Sequence, residues 1–279
     1  MKLRGKVLAG AVGLLAACSL SPIGSAIAEE SPDSVSLSIR NDTFFGFYTL
    51  IAGQHKVTDN FGLSYGGWWY QDVRGNLGVH SNPWTEIDVG VYFTAFDKKL
   101  TVTPMIGTVH GSLLSTANVE KGAPSQAFEG IVPNVTANWA DGFFEAEVYW
   151  SYYKSIRNVS AEQRGAATGS CSTDCTGTWD FMHYWINAGI QVHPVVSVGV
   201  HWEHLQTTRD SRLGWTGQNF YRWIGPYVEI KGPSNTAFRF TAGHNIDGEV
   251  FGAGPLSDPG YRGAGGNDDF YKMAFTKTF

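Results

Sequence analysis

From about residue 34 to the last residue, apolar and polar side chains alternate with a period of two, and no segment keeps helical spacing. Successive residues of a strand point to opposite faces, so this pattern specifies strands with one greasy and one polar side. Strands are predicted at 34–44, 47–56, 61–72, 84–96, 99–111, 127–138, 142–154, 178–190, 195–206, 219–231, 235–246 and 268–279. Each has the roughly 9 to 11 residues, or slightly more, that a tilted strand needs to cross a bilayer.

The connections alternate in length. Asp97-Lys98, Ala140-Asp141-Gly142, His193-Pro194 and Gly232-Pro233-Ser234 are short, while 73–83, 112–126, 155–177, 207–218 and 247–267 are long and rich in Gly, Ser, Asn and Asp. Short turns at one end and long loops at the other are the habit of a membrane barrel, and a soluble sandwich has no reason for it. In the first hairpin the chain is expected to turn at Phe45-Gly46-Phe47. An even strand count places both termini at the same end, expected to be the periplasmic one.

Two-faced strands can be oriented because a charge facing hydrocarbon at mid-depth costs on the order of 2 to 4 kcal/mol. In 84–96, Ile87, Val89, Val91 and Phe93 are assigned outward, and Glu86, Asp88, Gly90 and Tyr92 inward. In 142–154, Phe144, Ala146, Val148, Trp150 and Tyr152 oppose Glu145 and Glu147. In 195–206, Val196, Val198, Val200 and Trp202 oppose Ser197, Gly199, His201 and Glu203. The inward set predicted to line the lumen is Arg40, Glu86, Asp88, Glu145, Glu147, His183, His201, Glu203, Arg239 and Lys272. Trp68, Trp69, Tyr70, Trp84, Trp150 and Trp179 are expected to form aromatic girdles at the two interfaces.

Lys2, Arg4 and Lys6 precede an apolar run, Val7 to Cys18, that is too short to span a bilayer and has the form of an export signal. Ala26-Ile27-Ala28 offers a small-x-small cleavage site, so residues 1–28 are read as a cleaved signal peptide and 29–279 as one barrel domain. Leu15-Ala16-Ala17-Cys18 also looks like a lipobox, which would leave Cys18 lipidated. With its three cations the signal takes the balance from 20 Lys+Arg to 17 against 25 Asp+Glu, a net charge of −8. That charge excludes a nucleic-acid binder. Charged residues make up 16% of the chain, below the roughly 25% of soluble domains, and aromatics reach 14%. Past the signal no run of about 18 apolar residues exists, which excludes helical membrane spans. Cys171 and Cys175, separated by Ser172, Thr173 and Asp174, are expected to form a small disulfide in an oxidising compartment. No metal or cofactor motif is present.

The chain ends Tyr271-Lys272-Met273-Ala274-Phe275-Thr276-Lys277-Thr278-Phe279, with Tyr271, Met273, Phe275 and Phe279 on one strand face. With the export signal and twelve amphipathic strands, this ending resembles Gram-negative outer-membrane β-barrel proteins of the porin-like kind. The resemblance implies an all-β, antiparallel up-and-down transmembrane barrel in the outer membrane, surrounded by lipid and lipopolysaccharide. It also implies a terminal strand read by the barrel assembly machinery, although Lys277 stands where such signals usually carry an apolar or aromatic residue.

The expected activity is passive, porin-like diffusion of small polar solutes through a water-filled lumen, leaning toward cations because carboxylates predominate. The loops at 155–177 and 247–267 are expected to cover part of the mouth. Two alternatives belong to other classes: a barrel enzyme acting on lipid A or phospholipid, and a closed barrel with a surface-interaction role. Asn41-Asp42 resembles the opening of the lipid A 3-O-deacylase family, but as a turn cap it needs no chemistry. His80-Ser81-Asn82 superficially resembles the His and Ser of outer-membrane phospholipases, yet adjacent strand residues diverge, and Pro83 marks a loop.

Overall fold

The computed structural model describes residues 33–72, 84–111, 114, 126–156, 179–210, 219–246 and 269–279. Within them twelve strands form a closed antiparallel barrel: β1 (Asp33–Asp42), β2 (Gly46–Thr58), β3 (Phe61–Asp72), β4 (Trp84–Ala95), β5 (Leu100–Gly111), β6 (Gln126–Ala140), β7 (Phe144–Ser155), β8 (Trp179–His193), β9 (Val196–Asp210), β10 (Asn219–Gly232), β11 (Thr236–Asn245) and β12 (Asp269–Thr278). Every strand pairs with its sequence neighbours, and β1 pairs with β12 from Ser36↔Thr278 to Asp42↔Lys272. No edge is left unpaired, the condition for strands to lie in hydrocarbon.

The predicted strands correspond to these one for one, with ends shifted by at most four residues. The first hairpin is the informative difference. Its turn is Thr43-Phe44-Phe45, and Gly46, with φ +67°, already opens β2. Asp42 moves the turn: its Oδ1 accepts from the backbone N–H of Phe44 at 2.9 Å and of Phe45 at 2.6 Å, and its Oδ2 accepts from the Tyr48 hydroxyl at 3.0 Å. An Asx-type cap of this kind fixes the reversal just after the Asp.

At the opposite end the turns are tight. Phe96, Asp97 and Lys98 take left-handed conformations between β4 and β5. Between β6 and β7, Gly142 sits at φ +91°, where a side chain would be strained. Asp141 Oδ1 accepts from the N–H groups of Phe144 (2.7 Å) and Phe143 (3.1 Å), which hold this exposed carboxyl below its usual range. Asp33, where β1 begins, and Phe279 lie at this same end of the barrel.

The outer surface is the apolar one. Ile87, Val89, Phe93, Ile106, Val148, Val200 and Ile224 are all exposed, between 40% and 56%. A contiguous apolar belt of this extent belongs in lipid rather than water. The faces assigned in β4, β7 and β9 are the faces observed: Glu86, Asp88, Tyr92, Glu147, Ser197, His201 and Glu203 are buried inside.

The expected girdle is corrected in part. Trp69 and Trp150 face outward, but Tyr70 and Trp84 are buried in the interior and Trp68 packs against them. Trp68 and Tyr70 flank Trp69 on one strand, so period two sends them inward together. The side chain of Trp179 lies outside the described residues. So do the proposed signal peptide, Cys18, Cys171 and Cys175, His80-Ser81-Asn82, and most of the long loops.

Val89→Arg places a guanidinium on the lipid face near the middle of β4, and the refolded barrel is expected to lose about 2 to 4 kcal/mol of stability. Urea titration in lipid vesicles measures this, and an unchanged midpoint would show that the belt does not meet acyl chains.

Candidate functional site

Three layers of inward side chains fill the barrel. At the end holding the β1–β2 turn, Phe44 and Phe45 fold into the bore and are almost completely buried. Phe44 meets Phe220 and Tyr221 edge-on, with centroids 5.9 and 4.9 Å apart, and Phe45 meets Tyr70 and Trp84. Around them Tyr70 stacks on Trp84 at 3.7 Å, and Tyr221 on Trp223 at 3.9 Å. The alternation of β3, β4 and β10 supplies these rings, and the Asp42 cap aims the two phenylalanines at them. Aromatic pairs of this geometry add about 0.5 to 1.5 kcal/mol each beyond area burial.

Beneath lies a charge hub centred on Glu203 of β9, which is fully buried. Its Oε1 accepts from His183 Nε2 at 2.8 Å and from the Tyr221 hydroxyl at 2.7 Å. Its Oε2 meets His201 Nε2 at 2.9 Å and the ammonium of Lys272. The other ring nitrogen of His201, Nδ1, lies 2.7 Å from Asn187 Oδ1. Lys272 also sits over the rings of Trp185 and Trp223. A carboxylate this deep is tolerable only because four groups meet its two oxygens.

The third layer is built on Arg239 of β11. Its Nε donates to Glu229 Oε2 at 2.8 Å and its Nη1 to Glu147 Oε2 at 3.3 Å, while Trp185 Nε1 donates to Glu147 Oε1 at 2.6 Å. Nearer the tight turns, Glu145 accepts from Tyr227 and Ser197 and pairs with Lys231 at 3.5 Å. Arg40 of β1 differs in kind: its guanidinium donates to Ser38 Oγ at 3.1 Å and lies 5.1 Å from the centre of the Trp68 ring. Between these layers is a cavity with about 70 Å³ of room for water, bordered by Arg40, Tyr48, Glu147, His183, His201 and Lys272. That accommodates on the order of five molecules.

All ten residues predicted to line the lumen therefore point into the barrel. Eight of them, Arg40, Glu147, His183, His201, Glu203, Arg239, Lys272 and Glu145, gather in the two charged layers or beside the cavity. Glu86 and Asp88 stand apart on β4. Missing from the expected set are Glu229, Tyr221, Trp185, Lys231 and the Asp42–Phe45 turn. The alternation Tyr227-Val228-Glu229-Ile230-Lys231 would have revealed two of them, since Glu229 and Lys231 share a face opposite two branched apolar residues. Nothing in the local pattern foretells that Phe44 and Phe45 enter the bore.

Asn41 and Asp42 do not meet at a common site. Asn41 Oδ1 accepts from the Tyr271 hydroxyl at 2.8 Å on the outer side, while Asp42 caps the turn inside. Of the terminal apolar set, Tyr271 and Met273 face outward, Phe275 is half-buried and Phe279 is exposed.

Removing one partner from the hub leaves a buried charge unmatched, so Lys272→Met is expected to cost about 3 to 5 kcal/mol. Adding Glu203→Gln should recover a large part of that loss. A double-mutant cycle by urea unfolding reads the coupling, and additive losses would mean that the pair does not interact.

A family model described as "Family of unknown function (DUF6733)" matches residues 6–279. No curated protein matches the chain in sequence. Among solved structures, an outer membrane channel from Pseudomonas putida F1 is 8% identical, with a TM-score of 0.49 over 92% of this chain and 100% of that one. The NanC porin is 8% identical, with a TM-score of 0.47 over 87% and 98%. The KdgM porin is 11% identical, with a TM-score of 0.44 over 88% and 99%.

Proposed function

We propose that this chain, which belongs to that family of unknown function, is an outer-membrane channel for passive diffusion of small polar solutes, with a preference for cations. The observation that carries the reading is a charged, water-accommodating interior inside an apolar sheath. A barrel kept only for its outer surface would fill its bore more cheaply with apolar side chains, because burying ions against one another is often no better than packing hydrophobes. On the inner wall, among the described residues, the carboxylates Asp42, Glu86, Asp88, Glu145, Glu147, Glu203 and Glu229 outnumber the cations Arg40, Lys231, Arg239 and Lys272. Excess negative charge on a narrow wall favours cation passage, as carboxylate rings do in cation channels.

Twelve strands lie between barrels of eight, which side chains fill, and those of sixteen or more, which hold wide pores. The bore is accordingly narrow, and the Phe44–Phe45 turn obstructs one mouth. By the convention of tight periplasmic turns, that mouth faces the cell exterior and both termini lie in the periplasm. The outward Tyr271 and Met273, with Phe279, fit an address read by the assembly machinery, and lipid and lipopolysaccharide are the surrounding partners. Support for a lipid-modifying enzyme is weaker, since Asn41 and Asp42 diverge to opposite faces and Asp42 is committed to the turn.

Planar-bilayer recording of the refolded chain tests the proposal. Discrete current steps are expected, with a zero-current potential in a salt gradient of the sign that cation preference gives. Anion preference would refute the selectivity, and silence would refute the channel. Replacing Phe44 and Phe45 together by Ala should raise the unit conductance several-fold, whereas Phe143→Ala, at an exposed turn, should leave it unchanged.

A further inference from the structure

Glu86 and Asp88 occupy successive inward positions of β4 and are among the most deeply buried side chains, 0% and 1% exposed. Neither belongs to any ion pair among the described residues. Their side chains lie side by side on one face of the strand, an encounter of two acceptors that is unfavourable unless something positive lies between them. Tyr153 donates its hydroxyl to Glu86 Oε2 at 2.9 Å, which leaves Oε1 without a partner.

A second observation points the same way. Asn134 of β6, 4% exposed, reaches across β5 and donates Nδ2 to Asp88 Oδ1 at 3.1 Å, yet its own Oδ1 is buried with no partner. Gly107 of β5 makes the room: a Cβ there would stand 2.0 Å from Asp88 Oδ1. A single proton shared between the two carboxyls would satisfy them and leave the Asn134 oxygen orphaned. A cation would answer all three.

We infer that Glu86, Asp88 and Asn134 form a binding site for a divalent, oxygen-seeking cation such as Ca²⁺ on the inner wall of the barrel. Two carboxylates match a double positive charge, and the remaining positions around an ion that takes about 6 to 8 oxygens would fall to water. Among the described residues no three His, Cys, Asp or Glu side chains form a metal cluster, so the amide oxygen of Asn134 is the third protein ligand. The site is independent of conduction: it binds whether or not the bore passes current.

Trp84 and Trp68 lie on neighbouring inward positions of β4 and β3, so Tb³⁺ used as the probe can be sensitised by tryptophan excitation. With the full chain refolded in detergent, saturable Tb³⁺ luminescence displaced by Ca²⁺ is expected. Glu86→Gln and Asp88→Asn should each abolish it, and Asn134→Leu should weaken it about 10- to 100-fold. Gly107→Ala, which keeps all three ligands and displaces Asp88, should weaken it too, while Asp59→Asn in an exposed turn should not. Heat-modifiable gel migration confirms that each variant is folded. Absence of saturable luminescence in the wild-type chain, or luminescence unchanged in Glu86→Gln and Asp88→Asn, would overturn the site. Infrared spectra give a readout besides luminescence. A protonated-carboxyl band that Glu86→Gln or Asp88→Asn removes, and that persists in the wild-type chain at saturating Ca²⁺, would mean that a proton occupies the position, and its absence supports the cation.

Discussion

Backbone hydrogen bonding between the first and last strands is the interaction on which the rest of the molecule depends. In hydrocarbon an unpaired N–H or C=O costs several kcal/mol, so a sheet survives there only when it has no edge. The β1–β12 ladder removes the edge, and its register has to agree with those of the ladders around the ring. Once the register is fixed, period two leaves each residue a single choice of side. Lys272 is opposite Asp42 and Arg40 opposite Ala274 because the ring closes where it does. The charged layers are therefore a consequence of closure as much as of composition.

Closure also decides how the buried charges are compensated. The cations of the inner wall come from β1, β10, β11 and β12, while its carboxylates come from almost all around the barrel. Glu203, Glu229, Glu147 and Glu145 lie within reach of the cationic sector, and each is paired there. Glu86 and Asp88 sit on β4, on the far wall, with Tyr153 and Asn134 as neutral neighbours. Desolvation penalises both groups of carboxylates alike, but only the first has its countercharge built into the chain. This asymmetry is geometric, and no count of residues would reveal it.

The sequence makes the strands and their faces legible because both rest on local alternation, which a barrel wall preserves along its whole length. The inward direction of Glu86, Glu147, Glu203 and Lys272 is readable from their immediate neighbours alone. Which of these groups meet is not readable: Tyr227 and Glu145 are 82 positions apart, and Arg239 and Glu147 are 92 apart, joined only through the ring. The misplaced girdle has a different origin. Trp68, Tyr70 and Trp84 have the chemistry of interfacial aromatics, and only parity along the strand shows that they must turn inward. The Phe44–Phe45 turn escaped because its direction depends on Asp42, whose role as a cap is visible only once Phe44, Phe45 and Tyr48 are in place around it.

Plug and charge hub are not separate devices. Tyr221 stacks on Trp223, meets the Phe44 ring at 4.9 Å, and gives its hydroxyl to Glu203 at 2.7 Å. Phe45 lies 6.0 Å from the imidazole of His183, which is bound to the same carboxylate. Withdrawing the turn from the bore would strip both contacts from one side of the hub and admit water to Glu203. Screening by that water would weaken the attraction holding Lys272. Conversely, a hub that lost Lys272 would leave Glu203 beside the aromatic layer with His183, His201 and Tyr221 alone. The aromatic layer and the ion pairs beneath it thus stabilise each other, and a change in one is felt in the other.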